Sequence, residues 1–269
     1  MKQKVELKAE IGVFGGSGFY TFLDDVREIE VATPYGKPSA PIALTEFGGK
    51  KVAFLPRHGK KHELPPHMIN YRANLWALKS IGVTRVIGPC AAGSLDPKVK
   101  PGEFVACDQL VDRTNGRKDT FYDGPHTTHV SFANPYCPEL RKLVVEAAKK
   151  VGVTIHSTGT MVVVQGPRFS TRAESAWYSK AGWRVVNMTG YPEAVLAREL
   201  EMCYANVSLI TDYDAGMEGI PPVSNEEVLR VFNENNAKLR ALLEHLIPSI
   251  PEKRVQCTCG SALKGARMS

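Results

Sequence analysis

The chain has 269 residues, 43% of them hydrophobic and 23% charged, with a formal net charge of +6 and a pI near 8.9. This is the balance of a soluble globular protein with enough length for a real core. No apolar run approaches the ~20 residues of a membrane span, and the lysine pairs (Lys50-Lys51, Lys60-Lys61, Lys149-Lys150) are scattered. Neither a membrane nor nucleic acid is therefore expected as a partner, whereas a small anion is.

The first ten residues, MKQKVELKAE, hold no apolar signal core, so a cytoplasmic location is expected. Six cysteines in such a chain read as buried thiols. Cys257-Thr258-Cys259 is the unusual pair; spacing supplies no further zinc ligands beside it, and redox or disulfide chemistry is the expectation there.

In chain order, Glu10 to Phe14 reads as a strand running into Gly15-Gly16-Ser17-Gly18. Glycines there let backbone N–H groups approach an anion, though a plain tight turn fits equally well, and neither a Walker loop nor a full dinucleotide fingerprint is present. Pro41 to Phe47 and Lys51 to Leu55 form a hairpin about Gly48-Gly49 and deliver Arg57 and His58, a dense donor cluster or else a solvated basic loop. Met68 to Ile81 reads as an amphipathic helix. Arg85 to Ile87 is a short strand entering the small residues Gly88 to Ser94, a second place for close backbone approach.

Phe104 to Leu110 is the next strand, and the polar stretch Asp112 to Asn134 is too long for a passive connector. A helix over Glu139 to Val151 comes next, then a strand over Thr158 to Val164 that leaves through Gln165 to Ser170. Thr171 and Glu174 make a capping-box signature for a helix to Ala181. Val185 and Val186 then lead to Asn187-Met188-Thr189-Gly190, Pro192 opens a helix ending near Cys203, and Ala205 to Thr211 is a strand. Asp212 and Asp214 are placed just beyond its C-terminal end, the edge where open α/β sheets bind ligands. A long helix spans about Asn225 to Ile247, leaving an aperiodic tail from about 248 to 269. Strands and helices alternate, an α/β pattern, and one domain over 1–269 is expected.

The strings GGSGF, PRHG, CAAGSL, DRT, FYDG, QGPRFSTRAE, NMTGYPEAVLARE and TDYD, in that order, resemble the nucleoside phosphorylases of the trimeric purine type. The resemblance runs from about Gly12 to the final helix, and QGPRFSTRAE and NMTGYPE are its most specific parts. It implies a mixed central β-sheet flanked by helices in a three-layer sandwich. It also implies phosphorolysis of 5′-methylthioadenosine to adenine and 5-methylthioribose 1-phosphate in salvage, with phosphate as co-substrate, no cofactor and no metal. Phosphate would then meet Ser17, Arg57, His58, the backbone at Cys90 and Ala91, and Thr189. The base would lie by Phe169 and Ser170, with Asp212 and Asp214 as the catalytic carboxylates at its N7 and N6 edge. Met188 would line the ribose, and Val228, Leu229 and a neighbouring subunit's His129 the methylthio end, in a homotrimer or a dimer of trimers.

Two departures from the family pattern are Cys90, in place of a common threonine, and Asn225, where the methylthio pocket is usually apolar. Competing readings are a purine nucleoside phosphorylase acting on inosine or guanosine, and a nucleoside-binding protein without catalysis.

Overall fold

The structure, a computed structural model, describes residues 8–15, 26–215 and 224–267, leaving aside the side chains of Asn225 and Phe232. Its strands are β1 (Ile11–Gly15), β2 (Arg27–Ile29), β3 (Ile42–Phe47), β4 (Lys50–Pro56), β5 (Arg85–Ser94), β6 (Phe104–Val105), β7 (Gln109–Arg113), β8 (Ile155–His156), β9 (Thr160–Val164), β10 (Val185–Asn187) and β11 (Cys203–Tyr213). The helices are α1 (Tyr71–Ser80), α2 (Pro138–Lys150), α3 (Arg172–Lys180), α4 (Gly190–Glu199) and α5 (Asn225–Ser249). The strands make one mixed sheet in the order β2-β3-β4-β1-β5-β10-β9-β7, with β11 pairing β5 and β6, and β8 pairing β6.

One face packs on α1 and α4 through Leu75, Leu78, Ala194 and Leu196. The opposite face packs on α2 and α5 through Leu140, Val144, Leu242 and Leu246. The mixed sheet between helical layers is the expected architecture. Among the described residues no helix is long and apolar enough to cross a membrane.

The hairpin forms as read: Gly48 and Gly49 carry φ of 59° and 71°, the left-handed pair that a two-residue turn between twisted strands requires. The capping box at Thr171 and Glu174 is also present. Helix α1 starts at Tyr71, later than Met68, because Pro66–Met68 form a separate short helical turn and the Asn70 side chain caps the α-helix at Ala73 N–H. Helix α4 stops at Glu199, where the chain turns through Glu201 at φ 55°, well before Cys203.

Two differences shape the site. Strand β5 does not end at Ile87; it runs through the small residues to Ser94 because β11 lies parallel beside it over its whole length. The expected strand Phe104 to Leu110 divides in two: β6 pairs with β11 and β8, and β7 pairs with β9. Pairing with distant segments decides both outcomes, and no local window carries that information.

The long polar segment is anchored rather than loose. Arg117 donates to the carbonyls of Gln165 (2.9 Å) and Tyr191 (2.5 Å), and buried Glu199 accepts from the Thr120 hydroxyl and the Phe121 N–H, both at 2.7 Å. The C-terminal tail also packs: Arg254 donates to the Glu201 carbonyl at 2.6 Å, and Cys259 and Ala266 are buried.

At Gly88 of β5 the Tyr204 hydroxyl occupies the space a side chain would need. Gly88→Ala is expected to destabilise the protein by about 1–3 kcal/mol by overpacking, read by chemical denaturation. An unchanged midpoint would show that this contact is not tight.

Candidate active site

The ends of β1, β4, β10 and β11 converge with the later half of β5 on a cavity of about 760 Å³. Arg57, His58, Cys90, Ala91, Phe169, Ser170, Met188, Thr189, Asp212, Asp214, Val228 and Leu229 all line it. His129 lies away from this cavity, exposed, with its N–H on the Ala266 carbonyl at 2.8 Å. Ser17 falls outside the described residues, as does the side chain of Asn225 at the head of α5.

At one end Arg57 is 4% exposed yet fully oriented. Its Nε and one Nη donate to the two carboxylate oxygens of Glu193, at 2.5 and 2.9 Å, and the other Nη donates to the Pro89 carbonyl at 2.9 Å. The guanidinium also stacks over Phe14, 4.9 Å from the ring centre. Burial alone disfavours its charge, but the charge and hydrogen bonds of Glu193 more than offset this and hold the Arg57 pKa above its ordinary value. Glu193 is itself wholly buried and takes a third hydrogen bond from the Tyr204 hydroxyl at 2.8 Å. Five guanidinium N–H groups less these three partners leave donors free to face the cavity.

His58 stacks on His62 with ring centres 4.3 Å apart, and its Nδ1 lies 2.8 Å from the Leu64 carbonyl, the tautomer in which Nδ1–H donates. Burial, with the Arg57 charge adding to it, lowers its pKa to about 4, so the ring is neutral near pH 7 with Nε2 an acceptor. Thr189 is buried at the head of α4. The N–H groups of Thr189 and Gly190 are both taken by Asn187 Oδ1 at 2.7 Å, and the Thr189 hydroxyl donates to the same oxygen at the longer distance of 3.3 Å. Asn187 Nδ2 in turn holds the Ala91 carbonyl at 2.9 Å. Burial pushes the Cys90 thiol up, and Asn206 donates to its sulfur at 3.2 Å.

At the other end stand the two carboxylates. Asp212 is not beyond the strand, as its sequence position suggests, but within β11 at a register shift between Ile210 and Asp212. Burial first, with the charge of Asp214 assisting, raises its pKa to about 6, against a lowering hydrogen bond from the Thr211 hydroxyl at 2.6 Å. Asp214 Oδ2 and Ser170 Oγ are buried polar atoms with no partner among the described residues. Both line the cavity, and such orphans cost stability unless a ligand satisfies them.

The two shifted groups act oppositely on stability. His58, lowered from 6.5 to about 4, contributes stability that is present above 6.5 and lost as pH falls towards 4. Asp212, raised from 3.8 to about 6, contributes most below 3.8 and loses it as pH rises through 6.

Sequence reading missed Glu193, Asn187 and Thr211. Each acts through a neighbour's side chain or backbone, and only the Pro192-Glu193 helix-start signal hinted at the first.

The description "phosphorylase superfamily" belongs to the family profile that matches residues 10–248. A purine nucleoside phosphorylase of Streptomyces coelicolor is 54% identical, covering 97% of this chain and 96% of its own. An S-methyl-5′-thioadenosine phosphorylase of Mycolicibacterium smegmatis is 55% identical, covering 93% of this chain and 94% of its own. Among solved structures, the methylthioadenosine phosphorylase of Schistosoma mansoni in complex with adenine superposes with a TM-score of 0.89 at 34% identity, covering 97% of this chain and 99% of that one. The sheet order, the cavity and these likenesses agree, and the chain belongs to the phosphorylase superfamily.

Proposed function

We propose that the protein catalyses phosphorolysis of 5′-methylthioadenosine, releasing adenine and 5-methylthioribose 1-phosphate. The observation that carries this reading is one cavity lined both by Arg57, His58 and Thr189 and by two buried polar atoms without partners among the described residues, Ser170 Oγ and Asp214 Oδ2.

Arg57 holds a phosphate oxygen with the N–H groups that Glu193 and Pro89 leave free; the Thr189 hydroxyl, turning from its 3.3 Å contact with Asn187 Oδ1, and the backbone at Cys90 and Ala91 complete the cradle. Ser17 is assigned to the same end on its sequence position. Neutral His58 accepts, at Nε2, a hydrogen bond from the hydroxyl that a phosphate dianion still carries. A phosphate oxygen so held attacks the anomeric carbon as the glycosidic bond breaks through an oxocarbenium-like state. The bonding electrons leave with adenine, and Asp212 donates its proton to N7. Asp214 accepts from the exocyclic amino group, Phe169 stacks on the base, and Ser170 borders it. No cofactor enters these steps.

Met188 borders the ribose, and Val228 and Leu229 hold the methylthio group, whose burial contributes on the order of 1–2 kcal/mol. Leu229 is 60% exposed within one chain, which supports a neighbouring subunit covering it and bringing its own His129, in a homotrimer or dimer of trimers. The match over residues 10–248 supports a single domain with a short tail, and a cytoplasmic location fits a salvage enzyme.

The name of the Streptomyces relative favours a second reading, turnover of inosine or guanosine. A 6-oxopurine presents an acceptor where Asp214 is assigned to accept from the adenine amino group, which argues against it. The deciding assay compares methylthioadenosine, adenosine, inosine and guanosine with and without phosphate. Phosphate-dependent release of adenine, at least about tenfold faster than release of 6-oxopurines, is expected from one mismatched polar contact. Faster turnover of inosine establishes the second reading, and no base release at all indicates binding without catalysis.

Glu193→Gln is expected to raise KM for phosphate at least about tenfold, with KM for nucleoside within about twofold, and to cost about 3 kcal/mol of stability. Equal changes in both KM values would place Glu193 outside the phosphate end.

At a fixed concentration of phosphate dianion, kcat/KM for nucleoside should decline as pH rises past about 6, following Asp212. Asp214→Asn removes a charge that raises the Asp212 pKa, so this alkaline limb should move to lower pH. A limb that stays put would exclude Asp212 as the proton donor.

A further inference from the structure

At the far end of the β5–β11 pair from the cavity, four cysteines meet. Cys203 opens β11, Cys137 precedes α2, and Cys257 and Cys259 come from the C-terminal tail. Their four Sγ atoms lie within 4.8 Å of one another, with Cys203 and Cys257 at 3.5 Å. A tetrahedral zinc with bonds of about 2.3 Å needs sulfur separations of about 3.8 Å, so a small inward movement closes the set. We propose that Cys137, Cys203, Cys257 and Cys259 bind one zinc ion that fastens the C-terminal tail to the sheet.

Cys203 on β11 and Cys137 at the N-cap of α2 are 0–1% exposed, so half of the site is fixed before the tail arrives. Cys259 is buried at the start of a short helical turn, and Cys257 is half-buried and gives the ion its entry. The tail is held in place independently of the thiols. Glu139 Oε2 accepts from the Val255 and Gln256 N–H groups at 2.9 and 2.7 Å. Leu263 N–H donates to Glu201 at 3.2 Å.

Charge also fits. Binding takes a proton from each of four thiols and leaves a complex of net charge −2, which needs cations nearby. Arg85 is the register partner of Cys203 on the neighbouring strand. It is 3% exposed, and its acidic partner among the described residues, Glu139, is 3.9 Å away. Arg254 lies against Gly260, beside Cys259, where a side chain would collide with it. The Nε atoms of both arginines are buried without a partner among the described residues.

Four sulfurs and no open position make a structural rather than a catalytic site. The sequence expectation of no metal weighed only the Cys-Thr-Cys spacing. The two missing ligands are Cys137 and Cys203, which the fold alone brings near.

The test uses the full chain, expressed with added zinc and purified in thiol reductant. About one zinc per chain is expected by elemental analysis, with cobalt replacement giving the absorption of a tetrahedral tetrathiolate. Cys257→Ser/Cys259→Ser should lose the metal, while Cys107→Ser, outside the cluster, should keep it. Metal-free wild-type protein that takes up no cobalt overturns the proposal, whether all six thiols titrate after denaturation or four are consumed in disulfides. Because the wild-type cobalt spectrum decides by itself, a double variant that fails to fold does not weaken the test.

Discussion

The pairing of β5 with β11 governs the molecule. Their register runs from Arg85 opposite Cys203 to Ser94 opposite Tyr213, so one ladder fixes both ends of the structure at once. Near its start stand the thiols and Arg85. Near its finish Gly93 lies opposite Asp212, and the Asp214 N–H donates to the Ser94 carbonyl. At about 3.3 Å per residue the eleven residues of β11 span roughly 35 Å, which keeps the tail's anchor remote from the cavity. The small residues of β5 are what permit such close approach. Gly88 admits the Tyr204 hydroxyl, which supports Glu193, which orients Arg57.

That last chain of contacts explains how a cation can be held in a buried position on the cavity wall. An isolated buried guanidinium would be expensive, and Glu193 offsets the cost with a two-point, fully buried contact. The same contact fixes which N–H groups remain for the proposed phosphate and leaves the pair neutral overall. Attraction then comes from aimed donors rather than from net charge, and these need no reorganisation when negative charge shifts during reaction.

Much of this was legible in the sequence. The glycine turn between β3 and β4, the capping box of α3, and the placement of Arg57 and His58 just beyond the end of β4 follow from local chemistry. The specific strings carried the family. Illegible were the features that depend on a distant partner: the extension of β5 through Gly88 to Ser94, the division of β6 from β7, and the burial of Glu193. A glutamate after a proline at a helix start reads as a dipole-compensating surface residue. Only the fold turns it inward to meet a guanidinium 136 positions earlier.

The placement of Asp212 shows the same limit in one residue. Along β11, Ile210 lies opposite Ala92, and without an irregularity Asp212 would share the face of Ile210, inside the apolar core that holds both. Thr211 is instead an extra residue, so Asp212 falls opposite Gly93 and on the other face. There a Cβ at position 93 would stand 3.0 Å from Asp212 Oδ1, so the glycine makes room for the carboxylate. The bulged Thr211 then binds the other oxygen with its hydroxyl. A single inserted residue thus moves a carboxyl group from a core that would not tolerate it to a cavity wall. It remains buried enough there to keep a proton near pH 6, the state that its proposed role as proton donor to the base requires.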